Sequence, residues 1–184
     1  MRHATCDVRQ IMALHTGKNI YITGFMATGK STVGRLLARK LARQHLDTDR
    51  QIEEQENTSI ANLFQTRGEE FFRNQETICL KNASQKNNLV VSLGGGAILA
   101  NENKEILNKG VWIYLDTPID IILERLTRTT HRPLAQQDPD KLHALYTERL
   151  PLYKMANITI DCQDLNSEAI CQDILKRMMT HENH

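Results

Sequence analysis

The segment Gly24-Phe25-Met26-Ala27-Thr28-Gly29-Lys30-Ser31 constrains this chain more than any other feature. It fits G-x-x-x-x-G-K-[ST], a loop whose backbone N–H groups cradle phosphate. Before it lies a short β-prone run, Asn19-Ile20-Tyr21-Ile22-Thr23. After it comes Ser31–Arg43, where Val33, Leu36, Leu37 and Leu41 recur at helical spacing. Strand, glycine turn and helix in that order bring inward-turned N–H groups and the positive end of a helix to one spot. Lys30 is then placed to reach the β- and γ-phosphates, and the Ser31 hydroxyl to ligate magnesium. With Ala27, Thr28 and Thr32, the residues Gly24, Gly29, Lys30 and Ser31 are the expected nucleotide-binding set. The motif names a phosphate donor and leaves the acceptor open.

The rest of the chain alternates strand and helix. His45-Leu46-Asp47, Leu89-Val90-Val91-Ser92-Leu93, Val111-Trp112-Ile113-Tyr114-Leu115 and Asn157–Asp161 read as further strands. Ile60–Gln65, Gly68–Lys86, Asn101–Lys109, Pro118 to Thr127, Asp140 to Ala156 and Ser167–Met179 read as helices. Gly110 is read as a helix C-cap, Pro151 as an interruption and Ser167 as an N-cap. This order predicts an α/β domain with a parallel sheet covered on both faces. Residues 1–17 are expected as a loosely attached arm, and 18–184 as a single domain with an exposed loop at about 125–139.

Composition excludes several classes. The chain has 184 residues with 23 Lys+Arg against 22 Asp+Glu, a net charge of +1, which argues against nucleic acid or anionic lipid as a partner. No apolar run approaches the ~18 residues that a membrane span needs. Residues 1–17 hold only Ile11-Met12-Ala13-Leu14 as an apolar run, too short for a signal-peptide core. Cys6, Cys79, Cys162 and Cys171 are widely spaced, so reduced thiols in a cytoplasmic protein are expected rather than a zinc site or disulfide scaffold. His181 and His184 read as part of a polar tail.

Four features fall where an α/β sheet gathers ligands, beyond the C-terminal ends of its strands. Asp47-Thr48-Asp49 offers two carboxylates at i and i+2, or else a plain helix cap. Gly68-Glu69-Glu70-Phe71-Phe72-Arg73 sets Arg73 early in a helix, with Glu76 three residues on; alone, that pair reads as an exposed ion pair. Gly94-Gly95-Gly96 permits close backbone approach. Arg125, Arg128, Arg132 and Arg149 form a cationic group suited to closing over a triphosphate and an anionic acceptor.

In this order, with Arg132-Pro133-Leu134 and Arg149-x-Pro151-Leu152-Tyr153, the motifs resemble those of the shikimate kinases over about residues 18–180. The resemblance implies a P-loop NTPase fold of the nucleoside-monophosphate-kinase type, a three-layer α/β sandwich with a five-stranded parallel sheet and a mobile lid. It implies transfer of the γ-phosphoryl group of ATP to the 3-hydroxyl of shikimate, a step of chorismate and aromatic amino acid biosynthesis. Asp49 would bind the shikimate hydroxyls and act as base, and Asp47 with Ser31 would hold one magnesium ion. Arg73 and Arg149 would bind the shikimate carboxylate, with Gly94, Gly95 and Gly96 contacting the substrate through backbone. Arg132 would reach the ATP phosphates from the lid, joining Lys30 and Asp49 as the catalytic set, and Arg125 would lie against adenine. A cytoplasmic monomer is expected.

Two positions depart from the family pattern. Ala27 stands where a second glycine is frequent, and Ala135 follows Arg132-Pro133-Leu134 where a second leucine is usual. The rival readings are another small-molecule kinase of this architecture, for gluconate or a nucleotide, and a non-catalytic module that uses ATP as a switch. ADP release with shikimate, gluconate or no acceptor separates them.

Overall fold

Parallel pairing dominates the architecture because each strand is followed by a helix that must return over the sheet. The computed structural model describes residues 8–127 and 138–180. Among them, β1 (Ile20–Thr23), β2 (Gln44–Asp47), β3 (Leu89–Ser92), β4 (Val111–Asp116) and β5 (Ile158–Asp161) form one parallel sheet in the order β2-β3-β1-β4-β5. The helices are α1 (Val8–Leu14), α2 (Lys30–Lys40), α3 (Thr48–Glu56), α4 (Ile60–Ser84), α5 (Asn101–Leu107), α6 (Ile119–Thr127), α7 (Pro139–Tyr153) and α8 (Ser167–Thr180), with a 3₁₀ turn at Ala97–Leu99. No described helix is long and apolar enough to cross a membrane.

Side-chain alternation along the strands sorts the core into two layers. Ile20 and Ile22 of β1 and Val111, Ile113 and Leu115 of β4 face Val33 and Leu37 of α2, Ile174 of α8 and Ile11 of α1. Tyr21, Trp112 and Tyr114 face the opposite side, against Leu80 of α4, Leu107 of α5, Ile122 of α6 and Leu142 of α7. A third cluster, Ile52, Leu63, Phe72 and Cys79, ties α3 to α4. The result is the expected three-layer α/β sandwich. Gly68, at φ 82° and ψ 170°, breaks α4 into the two helical stretches that the sequence separates.

Four local expectations are corrected. Gly110 is not a left-handed C-cap: a Cβ there would come 2.5 Å from the Asn19 carbonyl oxygen and 2.7 Å from the Tyr21 ring, so close packing demands glycine. The N-cap of α8 is Asn166, whose Oδ1 accepts from Ala169 N at 2.9 Å, rather than Ser167. Pro151 does not interrupt α7, which continues to Tyr153. Residues 8–17 are not loose. Ile11 is fully buried, His15 Nε2 lies 3.0 Å from the Met178 carbonyl oxygen, and Arg43 donates to the His15 carbonyl at 2.8 Å.

Arg128, Arg132-Pro133-Leu134 and Ala135 lie outside the described residues, as do Cys6, His181 and His184. Of the expected lid, only its two ends, in α6 and at the start of α7, are described.

Candidate active site

The phosphate loop follows β1 and opens α2. Gly24 has φ 149°, and a Cβ on it would sit 2.9 Å from the Leu115 carbonyl oxygen and 3.1 Å from Thr28 Oγ1. Gly29, at φ 89°, is the N-cap of α2, and its carbonyl accepts from Thr32 N at 3.0 Å and Val33 N at 2.9 Å. Ala27 holds φ 59°, a left-handed conformation that explains why a second glycine suits this position. Thr28 Oγ1 donates to the Phe25 carbonyl at 2.9 Å, and Lys30 Nζ donates to the same oxygen at 2.7 Å. Lys30 therefore lies folded across the loop. Arg125 Nη1 donates to the Ala27 carbonyl at 3.2 Å, bracing the loop from α6.

Beside the loop, β2 ends at Asp47, in register with Ser92 of β3. Asp47 caps α3, accepting from Arg50 N at 3.3 Å, so the bland helix-cap reading of this residue holds as well. Thr48, which the sequence marked with no role, is buried and joins two segments: it donates to the Ser92 carbonyl at 3.3 Å and accepts from Gly94 N at 3.1 Å. Asp47 and Ser31 line one cavity of about 480 Å³. The described residues contain no cluster of three or more His, Cys, Asp or Glu able to hold a metal alone. A hydroxyl and a carboxylate make an all-oxygen donor set, which suits magnesium shared with substrate phosphates.

The triple glycine is where the other candidates meet. A Cβ at Gly94 would collide with Glu76 Oε1 and lie 2.5 Å from Asp49 Oδ1. One at Gly96 would overlap the Arg73 guanidinium. One at Gly95 would lie 3.5 Å from Tyr153 Oη and 3.6 Å from the Gly24 carbonyl oxygen, joining this turn to the phosphate loop. The contacts at Gly94 and Gly96 leave no room for side chains, while a Cβ at Gly95 would make only ordinary contact; at the two outer positions backbone stands at the floor of the site. Arg73, Glu76, Gly96 and Asn103 line a cavity of about 320 Å³ next to it.

Arg73 is gripped by acids. It donates to Glu69 at 2.9 Å and pairs with Glu76, and its guanidinium lies 5.3 Å from the Phe72 ring centroid. Glu76 is only 1% exposed, so the pair is not the ordinary exposed one that Arg73 and Glu76 would make alone: Glu76 lies against Gly94, beside Asp49. Burial pushes the Glu76 carboxyl up to about 7, against the lowering pull of Arg73 and with a further push from Asp49. Its Oε1 has no hydrogen-bond partner among the described residues. Arg149, 8% exposed on α7, also acts on Glu76 electrostatically. Asp49, Arg73, Gly94–96 and Arg149 are thus brought together, close to Gly24.

Sequence reasoning missed Thr48, Glu76 and Tyr153 as parts of this arrangement. Tyr153 stood in a motif already singled out, four residues after Arg149; Glu76 was marked only as an ion-pair partner of Arg73, and Thr48 only as the residue between two carboxylates.

Comparison with known proteins bears on the family and the fold. A family model described as shikimate kinase matches residues 26–179. The chain is similar to the shikimate kinase of Caldanaerobacter subterraneus subsp. tengcongensis, 40% identical over 162 residues that cover 86% of this chain and 95% of the relative. It is also similar to the solved structure of shikimate kinase from Acinetobacter baumannii in complex with shikimate. There the TM-score is 0.87 and identity 37%, covering 95% of this chain and 99% of that one. A gluconokinase from Sinorhizobium meliloti shares the fold alone, at 14% identity and TM-score 0.59 over 92% of this chain and 99% of that one.

Proposed function

The chain belongs to the shikimate kinase family, and on that premise we propose how its own residues hold the acceptor and pass it a phosphoryl group. The enzyme is an ATP-dependent phosphotransferase with an alcohol acceptor, the 3-hydroxyl of shikimate. One observation carries the assignment of roles: Asp49, Arg73 and Gly94–96 are packed together, with Gly95 next to the Gly24 carbonyl of the phosphate loop. An acceptor bound there lies beside the phosphate donor.

Phosphoryl transfer needs positioning and charge neutralisation more than covalent chemistry. Lys30, the N-terminus of α2 and the loop N–H groups hold the donor phosphates, with Ala27, Thr28, Gly29 and Thr32 shaping the cradle and Arg125 supporting it. Arg73 and Arg149 grip the acceptor carboxylate; a guanidinium offers two parallel N–H donors to its two oxygens. Asp49 orients the hydroxyl in line and takes its proton as the new bond forms. Ser31 and Asp47 would hold Mg²⁺, which neutralises charge on the donor phosphates. Arg132, outside the described residues, would add positive charge at the donor phosphates, the role that the family resemblance implies for it. The proposal is completed by a monomer acting in the cytoplasm.

A coupled assay of ADP release with shikimate, gluconate or no acceptor tests the function. Shikimate alone should support turnover. Equal rates with gluconate, or release that ignores the acceptor, would overturn it.

A further inference from the structure

Tyr153 ends α7 four residues after Arg149, so the two side chains share one helix face. It is fully buried, a position where a phenol hydroxyl costs stability unless it is hydrogen-bonded. One bond is made: Oη donates to the Gly95 carbonyl, and the Arg149 guanidinium acts on the phenol electrostatically. A phenol has one proton to give, so with that bond made Oη faces the Arg149 guanidinium only as an acceptor. The ring cannot swing away. It stacks on Tyr114 at 5.1 Å between centroids and 6° between planes, and Tyr114 is held by a 2.9 Å bond from its hydroxyl to Asp116.

The Gly95–Gly96 peptide is trans, so the Gly96 N–H points opposite to the Gly95 carbonyl. Tying that carbonyl to Tyr153 therefore turns the Gly96 N–H away from α7. Among the described residues, neither the Gly95 N–H nor the Gly96 N–H meets an acceptor. Glycine, with the widest backbone freedom, would otherwise let this peptide rotate.

We propose that Tyr153 is a positioning residue for the acceptor: its hydroxyl holds the Gly95–Gly96 peptide in one fixed arrangement beside the Arg149 guanidinium, so that both face the shikimate carboxylate edge. The proposal rests on the shikimate kinase assignment and adds to it a residue that need not touch substrate. Burial raises the Tyr153 pKa, so the hydroxyl keeps its proton throughout the assay range.

The test is steady-state kinetics and calorimetric shikimate binding on the full chain, wild type against Tyr153→Phe, with a thermal melt of each. Loss of this hydroxyl should raise KM and Kd for shikimate about 5–30-fold, with KM for ATP within about twofold of wild type. Replacing Tyr153 by 4-aminophenylalanine, which keeps a donor at the same place, should restore much of the shikimate affinity. Where the Phe variant does not fold, 4-fluorophenylalanine against 4-aminophenylalanine gives the same comparison at constant ring shape. Unchanged shikimate KM, parallel rises in both KM values, or no rescue by the amino group would overturn the proposal. Wild-type turnover is measured first: its absence with shikimate would overturn the acceptor assignment itself, a result distinct from failure of the Tyr153 role.

Discussion

Arg73 pairs with Glu76 one turn along α4, and the two ends of the pair lie in different media: the cation side chain is 25% exposed, the carboxylate 1%. An exposed helix pair of this spacing contributes roughly 0.2–0.5 kcal/mol. Here the buried carboxylate instead anchors a guanidinium that packs on Gly96, in the turn proposed to meet the acceptor. On the proposed assignment, the pair sets where a cation would meet the acceptor.

Arg73→Lys should therefore raise KM for shikimate while leaving KM for ATP nearly unchanged, because an ammonium cannot reproduce two parallel donors. Arg73→Ala should cost more, on the order of 2–5 kcal/mol in kcat/KM. An acceptor analogue without the carboxylate should feel either change less. Steady-state kinetics with both acceptors checks this, and equal penalties for the two would remove Arg73 from carboxylate binding.

Glu76 should leave a pH signature on stability. Its folded pKa is raised to about 7 from 4.5, burial outweighing the pull of Arg73 and Arg149, and Asp49 adding to the rise. An acid with a raised folded pKa contributes most below its unfolded pKa, and that contribution is lost as pH rises through the folded value. Gln cannot titrate. The Tm of Glu76→Gln should accordingly gain on wild type between pH 4.5 and about pH 7 and level off above it. Thermal melts across that window decide it; a constant difference between the two proteins would mean the carboxyl is not perturbed.

Lys30→Ala and Asp49→Asn should both stop turnover by different routes. Lys30 reaches across the phosphate loop, so its loss should weaken ATP binding as well as lower kcat, by about 10²–10³-fold or more. Asp49 lies against Gly94, so Asn should spare ATP binding. Calorimetric titration with ATP separates the two, provided each variant melts near wild type.

Helix α1 should matter for stability and little for catalysis. Ile11 is fully buried against the α2 and α8 layer, so Ile11→Ala should cost about 2–5 kcal/mol and lower Tm by roughly 4–20 °C. Removing residues 1–16 should do at least as much, with kcat retained at low temperature. A truncated protein that melts like wild type would show that the helix adds nothing.

What could be read from the sequence was what repeats or recurs locally. Strand–loop–helix alternation, the Gly24–Ser31 loop, Asp47-x-Asp49 and the triple glycine each lie within a few consecutive residues, where backbone conformation follows from side-chain type. Gly110 shows the limit of such reading. A glycine after a helix looks like a cap, yet here Asn19 and Tyr21, about ninety residues earlier in the chain, are what require it.

The sequence by itself determined the phosphate loop, the order of strands and helices, and the acidic and basic residues near the strand ends. Tertiary structure alone decided that Ile11 is core, that Glu76 is sealed beneath Arg73, and that Tyr153 holds Gly95. The physical reason is that burial and hydrogen-bond partners depend on which distant segments meet. A glutamate three residues after an arginine reads the same on either face of a helix, and only the chain packed over it makes its charge costly.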